Sequence, residues 1–156
     1  MSRGGGSRAF FAASRERAVA GLLGVLGVLT VGMGLYFLLA RPAMLPEDLR
    51  FTGVKLEGLP VRMSEWLGIV FRTWGGFMAG FGVVLLGVAA YLLTARKAVL
   101  CWATAAGVGV AFGRFLVSNL AIRSDYLAFI VILFILAVLV VAGLALWSPR
   151  GNVGTD

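Results

Sequence analysis

The sequence predicts an all-α fold, a polytopic membrane protein with four transmembrane helices in an up-down bundle, and three observations predict it. Apolar residues make up 60% of the 156 residues and charged residues 13%, where a soluble domain has roughly half and a quarter. The polar surface that a water-soluble fold needs is missing. Four windows of mostly apolar residues are each long enough to cross a bilayer as a helix. The alternating ten-residue segments that a membrane barrel would need are absent.

The elements follow in order. Residues 1–17 form a Gly- and Arg-rich arm, read as flexible and cytoplasmic. Span one covers 18–40. Its apolar run exceeds the hydrophobic stretch of a signal peptide (about 7–15 residues) and no small-residue cleavage site follows, so it reads as an uncleaved anchor. The connection 41–65 is long, and Pro42, Pro46, Pro60, Gly53 and Gly58 oppose a continuous helix there. Within it, Leu49 to Leu59 alternates in part and reads as a small hairpin or an interface-hugging segment. Span two covers 66–94, with Ser64 as a possible N-cap and Glu65 favourably placed against the helix dipole. Span three covers 98–120 and span four 126–147, followed by a short cytoplasmic tail, 148–156. The brief connections after spans two and three force antiparallel neighbours, so spans two to four read as a sequential array.

Orientation comes from the basic residues flanking the spans. Arg3, Arg8, Arg15, Arg17, Arg96, Lys97 and Arg150 fall on one side, and Arg41, Arg50, Lys55, Arg62 and Arg123 on the other, seven against five. With Arg15 and Arg17 directly before span one, both termini are expected in the cytoplasm. Trp66, Trp74, Tyr36 and Tyr126 form one aromatic belt and Tyr91, Trp102 and Trp147 the other. The net charge of +7 is divided between two faces. The partner it implies is anionic lipid headgroups at the inner face, within the lipid bilayer, and not nucleic acid.

Helices in lipid associate through small residues. Gly75, Ala79, Gly82, Leu86 and Ala89 share one face of span two, and Thr104, Gly107, Ala111, Arg114 and Ser118 one face of span three. The pattern predicts that these two spans pack closely through Gly75, Ala79, Gly82, Gly107 and Ala111, with span four more open to lipid.

Arg72 and Arg114 are the candidate functional residues. Arg114 lies about 9 Å from the outer end of span three, and Arg72 roughly 10 Å inside span two. A charge at such depth costs free energy and needs compensation. One reading pairs the two arginines with Glu65, Asp125 or helix-end carbonyls, with Glu57, Glu47 and Asp48 as further anions, and makes the cluster structural. The other makes it an outward-facing site for an anionic lipid, a quinone or a small anion. Ser118, Asn119 and Trp74 add polar contacts in either case.

The chain has no histidine and a single cysteine, Cys101. Imidazole chemistry and paired-thiol redox chemistry are therefore disfavoured, and the expected metal and cofactor sets are both empty. No carboxylate stands in the middle of a span, as proton-coupled antiport needs. Lys55 and Lys97 sit in connections, away from any serine inside the membrane. The expectation is a protein without catalysis of its own.

The run Phe71 to Leu93 (FRTWGGFMAGFGVVLLGVAAYLL), followed by Gly109 to Asn119 (GVAFGRFLVSN), resembles the small bacterial four-helix membrane proteins related to the DoxX-like group. An Arg with paired glycines opens span two, and a Gly-Arg pair comes late in span three; the likeness covers about the last 90 residues. The resemblance implies a bacterial inner-membrane location and an accessory role beside an oxidoreductase complex, often quinone-linked, with Arg72 and Arg114 as the residues concerned. The sequence thus predicts an accessory or structural membrane component, joined to a membrane-protein partner or to further copies of itself. Binding or transport through the arginine cluster is the alternative.

Overall fold

The computed structural model describes residues 5–55, 58–95 and 97–147, with side chains from Ser14 to Leu146 among them. Arg3, Glu57, Arg96 and Arg150 lie outside the described residues, as do the side chains of Arg8 and Trp147. The described residues form five α-helices and no strand: α1 (Gly5–Leu39), α2 (Pro46–Thr52), α3 (Val61–Leu92), α4 (Ala98–Ile122) and α5 (Leu127–Trp147). Four contain stretches long and apolar enough to cross a membrane: Ser14–Leu39, Val61–Leu92, Ala98–Ile122 and Leu127–Leu146.

Three boundaries differ from the sequence reading: α1 already runs from Gly5, so residues 5–17 of the arm read as flexible are helical, and two others differ for local reasons. The expected hairpin within 49–59 gives way to the short helix α2. Pro46 opens α2 with its fixed φ, Glu47 and Asp48 occupy the first turn, and the Asp48 carboxylate accepts the Leu45 N–H at 2.8 Å. Gly53 stops it at φ 69°, donating its N–H to Leu49 O at 2.9 Å. Helix α3 begins at Val61, with Pro60 at its N-cap position. Ser64 therefore lies inside the first turn, donating its backbone N–H to Pro60 O, and does not cap the helix.

The main packing partner of α3 is α1. A Cβ on Gly75 would stand 2.7 Å from Leu38 N, and one on Gly82 2.7 Å from Val31 N; on Gly34 it would run into the Ala79 backbone. These glycines let two backbones touch. The contacts step forward along α1 as they step back along α3, so the two helices are antiparallel. This corrects the expected seam between spans two and three. Gly75, Ala79 and Gly82 meet α1, whereas Gly107 and Ala111 are exposed on α4, with nothing near the place where a Gly107 Cβ would stand. Helix α4 packs chiefly on α5, and α5 also contacts α1. The arrangement is two antiparallel pairs, α1/α3 and α4/α5.

The apolar core lies away from α2. It is built from Leu23 and Leu26 of α1, Leu85 and Leu92 of α3, Val108 and Phe112 of α4, and Leu133, Val140 and Leu144 of α5, with smaller residues between them. Toward the α2 end, residues 113–122 of α4 and 61–74 of α3 contain no buried residue. The first ten residues of α3 also extend past the end of α1, since Gly75 already faces Leu38. Apolar packing therefore closes one end of the bundle, and the other end needs a different device.

Candidate functional site

That device is polar, and α2 carries it. Arg41, two residues past α1, has a side chain only 4% exposed. Its guanidinium carbon stands 3.4 Å from the centroid of the Phe71 ring on α3 and 5.2 Å from that of Phe37 on α1. The two rings meet edge-on at 6.3 Å. Arg41 donates to Asp48 Oδ2 at 2.7 Å and to Pro42 O at 3.0 Å. A desolvated cation over an aromatic face is worth about 2 kcal/mol or more, and here the ion pair with Asp48 adds to it.

The neighbouring residue faces the other way. Glu47 and Asp48 are separated by the 100° turn of one helical step, so one carboxylate reaches Arg41, just past α1, while the other reaches the α4–α5 turn. Glu47 is 2% exposed, and its Oε1 accepts the Ser124 hydroxyl at 3.2 Å. Ser124 Oγ in turn accepts the Tyr126 N–H at 3.2 Å. Arg50, at the end of α2, pairs with Asp125 at 2.6 Å on the surface. The hydrogen bond to Asp125 holds the Arg50 guanidinium above its ordinary pKa, against the desolvation that lowers it. Three charged residues within one turn of α2 thus join the two helix pairs, Asp48 holding the α1/α3 side and Glu47 and Arg50 the α4–α5 turn.

Two buried polar atoms of this clamp have no partner among the described residues: Arg41 Nε and Glu47 Oε2. A carboxylate has about four lone-pair sites, so Glu47 retains acceptor capacity beyond its bond to Ser124. Chemically, the arrangement fixes geometry and holds opposite charges out of water.

The residues expected to form a cluster are not brought together. Arg72, Trp74, Glu65 and Arg114 are all exposed. Neither arginine makes a side-chain hydrogen bond or an ion pair among the described residues. Asp125, expected as their counterion, is paired with Arg50. Ser118 Oγ donates to Arg114 O at 3.0 Å and Asn119 Nδ2 to Phe115 O at 2.9 Å, so both serve their own helix. The reason is the packing: α3 lies against α1 and α4 against α5, and their small-residue faces do not meet.

The two arginines also differ in environment. Arg72 follows Phe71, which touches Arg41 just past the end of α1, and the Cα–Cβ bonds of α3 tilt toward its N-terminus, the α2 end. Arg114 lies eight residues before Ile122, about 12 Å into α4, and there the same tilt points away from the α2 end.

Sequence reasoning missed Arg41, Glu47, Asp48 and Ser124 as the assembled polar group. A signal existed in Pro46-Glu47-Asp48, a proline followed by acidic residues, which marks a helix start. Among the described residues no group of three His, Cys, Asp or Glu side chains gathers. No family model, curated protein or solved structure matches the chain.

Proposed function

We propose that the chain is a non-catalytic, structural or accessory component of a membrane, with both termini on the cytoplasmic side of a bacterial inner membrane. The observation that carries this reading is the use made of the buried charges. Arg41, Asp48 and Glu47 are engaged in fastening α2 across the two helix pairs, as expected of a scaffold end. A transport route or reactive centre would instead direct them into an open path. Four long apolar helices support placement in the bilayer, and the excess of basic residues on the side of the termini supports the orientation. The resemblance to DoxX-like proteins suggests an oxidoreductase complex as the assembly served.

The test is the composition of the protein released from its own membrane by a mild amphipathic polymer, read by native mass spectrometry. The expected result is a stoichiometric assembly with another membrane polypeptide, lost in Arg41→Ala. A chain that emerges alone, carrying a quinone or small anion lost in Arg72→Gln or Arg114→Gln, would replace this reading with a binding role.

A further inference from the structure

Beside the clamp, a cleft of about 370 Å³ opens between α2 and the end of α4, lined by Arg50, Phe51, Ala121, Ile122 and Arg123. Two of its five lining residues are arginines. Arg123 is the single non-glycine residue with positive φ among those described, at 53°. It closes α4 by donating its N–H to Leu120 O at 3.2 Å, a position at which glycine or asparagine is the usual occupant. An arginine held there against backbone preference points to a use for its side chain. Arg50 engages Asp125 through one Nη2, and a guanidinium has five donors, so others stay available to the cleft.

The surroundings narrow the ligand. Phe51 is 63% exposed at the rim, an apolar ring where a headgroup meets its acyl chains. Below the cleft, Val117 and Leu120 of α4 are about half exposed and offer an apolar wall running along the helix. Asp125, paired with Arg50 at 2.6 Å, and the buried Glu47 temper the positive charge. That suits a phosphodiester, with one negative charge, better than a phosphate monoester at about −1.5 to −2.

We infer that this cleft binds the phosphodiester of a membrane phospholipid, with Arg123 and Arg50 donating to the phosphate oxygens and an acyl chain lying on Val117 and Leu120. The inference rests on the membrane placement proposed above. A headgroup without its own cation, such as phosphatidylglycerol, is preferred over phosphatidylcholine, whose quaternary ammonium competes with the two arginines.

The experiment reconstitutes the full chain, stripped of lipid, into detergent. It then titrates phosphatidylglycerol, phosphatidylcholine and inorganic phosphate, reading bound lipid by native mass spectrometry and the unfolding temperature in parallel. Each guanidinium near an anionic headgroup contributes about fivefold in affinity, so Arg123→Gln and Arg50→Gln should each weaken phosphatidylglycerol binding by about that factor. Arg123→Gly keeps the left-handed backbone at ease, so it should fold at least as well as the parent and still bind phosphatidylglycerol about fivefold more weakly. Lys55→Gln, an exposed cation at the same end outside the cleft, should change nothing. Equal binding of the two lipids, full binding by Arg123→Gly, or an equal loss in Lys55→Gln would overturn the assignment. Equal protection by inorganic phosphate would reassign the cleft to a soluble anion. A chain that fails to enter lipid nanodiscs at all defeats the membrane placement itself, whereas insertion without lipid preference defeats the cleft alone.

Discussion

The two helix pairs are both antiparallel and apolar, yet they touch in opposite ways. Along α1/α3, Gly34, Gly75 and Gly82 put backbone against backbone. In α4/α5 the buried surface is made by side chains, Cys101, Ala105, Val108 and Phe112 on one helix and Leu133, Ala137, Val140 and Leu144 on the other. The glycines of α4 (Gly107, Gly109 and Gly113) face open space. The same residue type is a contact in one pair and a bare surface in the other. A small residue permits close approach without naming the helix that approaches.

The comparison can be broken where the pairs are joined. Arg41→Ala should cost most, about 3–5 kcal/mol in a denaturing-detergent titration, because Asp48 keeps its charge with no cation beside it. A loss below about 1 kcal/mol would show that α2 is not what fastens the pairs at this end. Next comes the seam. Gly75→Leu should lose about 3 kcal/mol, the upper part of the range for overpacking, since the added Cβ meets α1 backbone rather than a side chain that can turn aside. Gly107→Leu should leave the same titration midpoint no lower than the parent's, since the exposed position gains helix propensity and meets nothing; a matching loss there would reveal a packed partner on α4.

Ser124→Ala tests the other half of the clamp. It removes the donor to Glu47 and should cost about 1–2 kcal/mol. Glu47→Met in the same background should recover most of that loss, because an apolar side chain of similar size leaves no buried charge behind. Smallest is a gain: Gly109→Ala should raise stability by about 0.5–1 kcal/mol, replacing an exposed helical glycine with the best helix former. If thermal unfolding shows no gain, α4 is held by more than the contacts described.

The extent of the long helices was legible because hydropathy is summed over some twenty positions and tolerates local irregularity. Pairing was not, because Gly75 and Gly82 carry the same signal whichever neighbour fills them. The polar clamp was hidden for a related reason. Arg41 directly follows an apolar run and precedes Pro42, which reads as an ordinary interfacial charge. Its burial comes from Phe71, thirty residues on, and from α2, which the prolines around it had disguised as a turn. Arg72 and Arg114 stood out only because they interrupt apolar sequence, and that contrast is blind to which way a helix faces.

The seam between α1 and α3 also sets an order of events. In the membrane placement proposed above, a ribosome feeding this chain into a bilayer delivers α1 well before the helix that fits it, and the notches at Gly27 and Gly34 wait until synthesis has passed Leu86. Helices in lipid associate after insertion, so in that placement α1 would spend the interval as a lone rod, and any nascent chain released before the match is complete would hand an unfilled groove to whatever quality-control protease patrols the membrane.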